Sequence, residues 1–160
     1  MSINEGDALP PFTLPLDDGS SISNESLKGQ WSVLFFYPKD STPGCTKEAL
    51  AFSEAQDEFA RLGARIVGIS RGTLASKQRF REKNGLTVAL AADESGEVTE
   101  AFGVWVEKKN YGRTYMGIER TTFLADPDGI VRAVWRKVRV KDHVAKVLEK
   151  LRELTGNTQQ

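Results

Sequence analysis

The chain has 160 residues, 39% hydrophobic and 28% charged, an ordinary balance for a globular protein and enough length for one domain with a real core over residues 1–160. Lysine plus arginine and aspartate plus glutamate both count 22, so no net charge steers the chain to nucleic acid or to an anionic membrane. A single cysteine excludes an internal disulfide, and one cysteine with one histidine is a poor basis for a thiolate–imidazole metal site.

The start Met1-Ser2-Ile3-Asn4-Glu5-Gly6-Asp7 has no basic n-region or apolar h-region, and no run approaches the roughly 18 apolar residues of a membrane span. A cytoplasmic protein is expected. Leu9, Phe12, Leu14 and Leu16, the turn Asp17-Asp18-Gly19 and then Ile22 read as a short hairpin, followed by a turn at Ser26-Leu27-Lys28-Gly29. The run Ser32 to Tyr37 is β-branched and aromatic with apolar residues on both faces, which predicts a buried strand ended by Pro38. Ala49, Phe52, Ala55, Phe59 and Leu62 then recur at helical spacing within Thr46 to Leu62, with Gly63 closing the helix.

Ala64 to Ile69 is a second buried strand, so strand, helix and strand make a parallel β-α-β unit. Leu74 to Asn84 is a polar helix with an apolar stripe at Leu74 and Phe80, stopped by Gly85; Val88 to Ala91 is a short strand and Glu97 to Phe102 a short helix. Tyr111 to Met116 reads as an extended loop. Thr121 to Ala125 and Ile130 to Trp135 flank the turn Asp126-Pro127-Asp128-Gly129 as an antiparallel hairpin. Val144, Val147, Leu148, Leu151 and Leu154 mark a C-terminal amphipathic helix, and Gly156 to Gln160 a frayed tail. A β-α-β half followed by a β-β-α half gives an α/β, thioredoxin-like arrangement: a central mixed sheet, helices on both faces and an N-terminal hairpin.

The chemistry concentrates in Pro38-Lys39-Asp40-Ser41-Thr42-Pro43-Gly44-Cys45. Cys45 falls near the first turn of a helix, where unpaired N–H groups and the positive end of the dipole favour the anionic thiolate, the form that acts as nucleophile. Thr42 offers a hydroxyl three residues upstream, a pairing that suits a small dioxygen-type substrate. The bland alternatives are an inert buried thiol for Cys45 and a loop hydroxyl bonded to local backbone for Thr42.

Pro38-x-x-x-Thr42-x-x-Cys45 resembles the peroxidatic motif of peroxiredoxins, and the string Phe36 to Glu48 is similar to their bacterioferritin-comigratory (peroxiredoxin Q) branch. Gly68-Ile69-Ser70, Phe102-Gly103-Val104-Trp105, Tyr111 to Leu124 and Asp128-Gly129 resemble that branch in the same order. The resemblance implies the thioredoxin-like fold and a thiol-dependent peroxidase that reduces hydrogen peroxide and organic hydroperoxides through a Cys45 sulfenic acid. It also implies roles at the site: Pro38 shields the thiol, Arg120 crosses to the cysteine to stabilise thiolate and peroxide, and Glu48 could hold that arginine by a paired hydrogen bond.

In many members of the branch a resolving cysteine follows five residues after the first; here that position is Leu50. The expected partners are therefore a peroxide and an external thiol reductant, whether thioredoxin, glutaredoxin or a small thiol, with no metal, flavin or haem, no nucleic acid and no membrane. A monomer is expected, with a weak dimer as the second choice. A disulfide oxidoreductase would need a paired cysteine, which is missing. The remaining alternative is a non-enzymatic redox sensor or holdase on the same fold. His143 is expected on the surface of the C-terminal helix, without a catalytic role. The alternation Arg132, Arg136, Lys137, Arg139 and Lys141 is expected to form the solvent side of an edge strand and its exit.

Overall fold

An N-terminal hairpin pairs β1 (Thr13–Pro15) with β2 (Ser21–Ser23), and Gly19 at φ 91° supplies the left-handed residue of its turn. The computed structural model describes residues 3–156; the segments 1–2 and 157–160, and with the latter most of the expected tail, lie outside the described residues.

Among the described residues the main sheet has five strands in the order β5 (Ala89–Asp93), β4 (Ala64–Arg71), β3 (Trp31–Phe36), β8 (Thr121–Ala125) and β9 (Val131–Trp135). At its centre is β3 (Trp31–Phe36), followed by α1 (Pro43–Arg61), β4 (Ala64–Arg71), α2 (Leu74–Asn84), β5 (Ala89–Asp93) and α3 (Glu97–Ala101). After a separate hairpin of β6 (Trp105–Asn110) and β7 (Arg113–Ile118), the chain returns through β8 (Thr121–Ala125), β9 (Val131–Trp135) and α4 (His143–Thr155). β3, β4 and β5 run parallel, while β8 lies antiparallel to β3 and β9 antiparallel to β8. This is the expected mixed sheet, with the charged alternation of residues 132–141 on edge strand β9 and beyond it.

Because successive strand residues point to opposite faces, β3 organises two cores. Val33 and Phe35, with Tyr37 just beyond the strand, join α1, Phe80 of α2 and the apolar stripe of α4 on one face. Leu34 and Phe36 join the N-terminal hairpin, Val98 of α3 and Phe102 on the other. Phe35 stacks on Phe52 of α1 with ring centroids 4.6 Å apart, and this contact seats α1 on the sheet. The stack needs Gly68: in the β3–β4 register it faces Phe35, and a Cβ there would come within 2.6 Å of the ring. Deleting such a buried ring costs about 3–5 kcal/mol, so α1, and with it Cys45, is firmly held.

The expected loop at Tyr111 to Met116 is instead most of β7 and the tip of a regular hairpin. Asn110 pairs with Arg113, and Tyr111 and Gly112 take φ of 51° and 75°, as a two-residue turn of the I′ kind requires. Its strands are charged and largely exposed, so they lack the apolar alternation by which a strand is read from sequence. Smaller differences lie at element ends: α1 starts at Pro43, ahead of Thr46, and β4 runs on through Ser70 to Arg71.

Candidate active site

α1 begins with Thr42 at its N-cap and Pro43 in its first turn, so a residue without an N–H stands where the helix has no use for one. The first backbone bond runs from the Thr46 N–H to the Thr42 carbonyl at 2.9 Å, leaving the N–H groups of Gly44 and Cys45 without partners inside the helix. Cys45 lies in this first turn and is 1% exposed. Both the dipole and the free donors favour negative charge there.

Arg120, the residue before β8, reaches this turn from the sheet. Its Nη2 donates to Cys45 Sγ at 3.3 Å and its Nη1 to Glu48 Oε1 at 2.7 Å. The approach depends on Gly44, because a Cβ at that position would stand 3.2 Å from Arg120 Nη2. Glu48 is fully buried one turn beyond Cys45. The expected paired bond to the arginine is a single one: Glu48 Oε2 has no hydrogen-bond partner among the described residues. Burial pushes the Glu48 carboxyl up to about 7 despite the opposing pull of Arg120, consistent with a proton on that free oxygen. Burial by itself would weaken the hold of Arg120 on its proton, but Glu48 and Cys45 outweigh it and raise its pKa above the ordinary value.

Thr42 is half-buried, and its hydroxyl donates to the Lys39 carbonyl at 2.8 Å, the local bond foreseen as the bland alternative. With its proton engaged, the oxygen still presents lone pairs that can accept. Pro38 follows directly on Tyr37 and lines a cleft of about 510 Å³ with Lys39, Trp105, Lys108, Tyr115 and Met116. The β6–β7 hairpin thus forms one wall of the space beside the cysteine loop.

Sequence reading passed over the anchor of that loop. Asp40 Oδ1 accepts from the Tyr37 hydroxyl at 2.6 Å, and its Oδ2 from the Ser76 hydroxyl at 2.6 Å and Lys77 Nζ at 2.9 Å. Lys77 also donates to the Arg71 carbonyl at 2.8 Å and is fully buried. The available signal was positional: residue 77 falls on the same helical stripe as Leu74 and Phe80, where a lysine is out of place. Arg71 in turn sits over the Trp105 ring, its guanidinium carbon 3.3 Å from the centroid.

His143 is a correction. It is 3% exposed, its Nε2 shares a 2.8 Å hydrogen bond with the Thr122 hydroxyl, and its ring packs edge-on against Phe52 and Trp135. Burial, helped by Lys146 and Arg120, lowers its pKa to about 4, so it is neutral at pH 7. It is a core residue because the first turn of α4 points inward between α1 and the sheet edge, which helical periodicity did not reveal. Among the described residues no group of histidine, cysteine and acidic side chains could hold a metal ion, and no helix is long and apolar enough to cross a membrane.

Residues 5–134 match the profile of the AhpC/TSA family. The chain is 46% identical over 151 residues to a putative peroxiredoxin bcp of Coxiella burnetii, covering 94% of this chain and 100% of that one. It is 44% identical over 155 residues to peroxiredoxin Bcp of Bacillus subtilis, covering 97% and 99%. Among solved structures, the Xanthomonas campestris bacterioferritin comigratory protein, described for its alkyl peroxide reduction activity, superposes with a TM-score of 0.87 at 40% identity over 93% of this chain and 99% of its own. A mutant of Xylella fastidiosa PrxQ superposes with a TM-score of 0.91 at 35% identity over 96% and 98%.

Proposed function

The chain belongs to the AhpC/TSA family, in its Bcp branch of peroxiredoxins, and from that premise we propose that Cys45 is the peroxidatic nucleophile, served by Arg120, Thr42 and Pro38 and supported by Glu48. The protein is a thiol-dependent peroxidase on a thioredoxin-like fold. The observation that carries the residue assignment is the Arg120 guanidinium, divided between Cys45 Sγ at 3.3 Å and Glu48 at 2.7 Å.

The Cys45 thiolate attacks the terminal oxygen of a hydroperoxide. An S–O bond forms, the O–O bond breaks, and the departing oxygen leaves as alcohol, or as water from hydrogen peroxide, once it takes up a proton. Arg120 is a permanent cation beside both sulfur and oxygen, so charge that develops on the departing oxygen is met by a donor already in place. Thr42 accepts from the peroxide O–H and aligns it, and the Pro38 ring shields the sulfur without an N–H that could compete. The alkyl peroxide activity of the Xanthomonas relative supports organic hydroperoxides as substrates beside hydrogen peroxide.

Leu50 stands where many members of the branch carry a resolving cysteine; it packs against the core, and the chain has no second thiol. The sulfenic acid therefore waits for an external thiol, which displaces water to give a mixed disulfide that a further thiol reduces. Thioredoxin, glutaredoxin or a small thiol would serve. We read the chain as one domain, cytoplasmic and monomeric, with a weak dimer as second choice.

Mass spectrometry of the reduced protein after one equivalent of peroxide is the test. The expected product is a monomer heavier by one oxygen, about 16 Da, and excess peroxide should add a second oxygen as the sulfinic acid. A covalent dimer as main product would point to resolution between Cys45 residues. An unchanged mass would overturn the assignment of Cys45, and rapid turnover of peroxide with a thiol reductant separates the enzyme from a sensor or holdase, whose Cys45 need react only once.

A further inference from the structure

The loop of residues 38–44 carries Pro38 and Thr42 and delivers Cys45, yet its own side chains make few bonds. The Thr42 hydroxyl bonds within the loop, to the Lys39 carbonyl, whereas Asp40 reaches out to Tyr37, Ser76 and Lys77. Ser41, next in line, is held at φ 64°, a left-handed conformation that costs a non-glycine residue roughly 1–2 kcal/mol. Such a conformation persists where its surroundings over-determine it. The surroundings here are Asp40 and its three donors.

Lys77 is the unexpected member. The buried residues of α2 are Lys77 and Phe80, so an otherwise polar helix spends half of its inward face on a lysine. Removing an ammonium from water is costly and is repaid only by good geometry, and apolar packing would serve stability as well. Burial lowers the pKa of Lys77 while Asp40 opposes the shift. The ammonium meets Asp40 on one side, the Arg71 carbonyl on another and the Tyr37 ring, 5.6 Å away to the centroid, on a third.

What this pair holds is specific. The carbonyl that receives the Thr42 hydroxyl belongs to the peptide joining Lys39 to Asp40, so the orientation of that carbonyl follows from where Asp40 is fixed. We propose that Asp40 and Lys77 are positioning residues for the peroxide reaction: the buried pair sets the Lys39–Asp40 peptide, whose carbonyl engages the Thr42 proton and so turns the Thr42 lone pairs toward the substrate. The inference rests on the reading of Thr42 as the group that accepts from the peroxide. In this proposal Asp40 and Lys77 act through Thr42 and not on the peroxide itself.

The test uses Asp40→Ala together with Lys77→Met, which removes both charges at once and leaves no buried ion alone. Two rates are measured on the reduced full chain: oxidation of Cys45 by hydrogen peroxide, and alkylation of Cys45 by iodoacetamide, which needs the thiolate but no peroxide alignment. The expected result is a loss of about tenfold or more in the peroxide rate with alkylation changed by less than about twofold. Asp40→Asn with Lys77→Met, whose amide oxygen can accept from one of the Tyr37 and Ser76 hydroxyls and whose amide N–H can donate to the other, should recover at least about threefold of the peroxide rate. Thr42→Val should slow the native chain but add less than about twofold to the Asp40→Ala, Lys77→Met variant, since the two changes break one chain of contacts.

A peroxide rate within about twofold of native in the double variant overturns the proposal, and so does an equal loss in both reactions, which marks a merely structural role. Thr42→Val tested in the native chain separates the two ideas: if it leaves the peroxide rate unchanged, the reading of Thr42 falls and takes the proposal with it, whereas a slow Thr42→Val beside a native-like double variant sinks the proposal alone. Should the double variant not fold, Ser76→Ala, which deletes a single donor to Asp40, is expected to lower the peroxide rate by about threefold with alkylation unchanged, and a native peroxide rate overturns the proposal.

Discussion

Lys77 and Arg120 each bring a cation to the cysteine loop, and each meets a carboxylate there, but the two pairs are finished differently. Asp40 receives three donors on its two oxygens, and the Lys77 ammonium has the Arg71 carbonyl as a further partner. Arg120 and Glu48 share one hydrogen bond; Glu48 Oε2 has none among the described residues, and the other arm of the guanidinium rests on the sulfur. A saturated buried pair resists displacement, because moving any member breaks several bonds in a low-dielectric setting. An incomplete pair keeps its charge available to a third group. The loop side is thus built to hold still, and in the proposed mechanism the sulfur side responds as charge moves from sulfur to oxygen.

The contrast can be broken most severely by removing the group that the responsive pair serves. Cys45→Ser changes little volume and should leave the circular dichroism spectrum intact while turnover falls below about a few per cent of native; turnover above that would place the chemistry elsewhere. Next comes Arg120→Lys, which keeps the charge but cannot reach sulfur and carboxylate together. A loss of at least about tenfold in the second-order rate with peroxide is expected, the equivalent of about 1.4 kcal/mol for one charge-assisted contact. An unchanged rate would show that two-pronged donation is unimportant.

Thr42 connects the two sides, and its variants grade the connection. Thr42→Val should cost about tenfold in the peroxide rate and Thr42→Ser about threefold, since serine keeps the hydroxyl. Equal rates would remove the hydroxyl from the mechanism.

The smallest expected effect sharpens the incomplete pair. Below pH 7 Glu48, its carboxyl raised to about 7 chiefly by burial, is protonated and neutral, so the Arg120 charge is left to the sulfur. As pH rises through 7, Glu48 ionises, claims part of that charge and repels the thiolate one turn away. Glu48→Gln keeps the neutral state at every pH. The ratio of its peroxide rate to the native rate should therefore climb from about one at pH 6 to about three at pH 8. A flat ratio in a stopped-flow pH series would mean that Glu48 does not titrate there.

The loop, the helix and the cysteine at its start were all legible in the chain. Pro38, Asp40, Pro43 and Gly44 punctuate it in ways that local sterics enforce, and the stripe Ala49, Phe52 and Phe59 has a period that only a helix satisfies. The order of strands and helices followed for the same reason, since buried strands and amphipathic helices announce themselves by apolar spacing. The β6–β7 hairpin escaped because its strands are exposed and charged, and a pattern of burial cannot mark an element that is hardly buried.

By itself, then, the sequence determined the parts whose causes are local: turns, periodicities, the count of one thiol, and through the resemblance the chemistry that thiol performs. No local pattern shows what meets at the sulfur: the resemblance named Arg120 there, and tertiary structure decided the contact. Arg120 lies 75 residues from Cys45 along the chain, and Lys77 lies 37 from Asp40. A charged side chain carries no local sign of whether it will end in water or against a partner, since that depends on which sheet face and helix turn come together around it. The same holds for His143: a polar residue at a helix start, it is buried because Phe52 of α1, far away in sequence, and Trp135 at the end of β9 close over it.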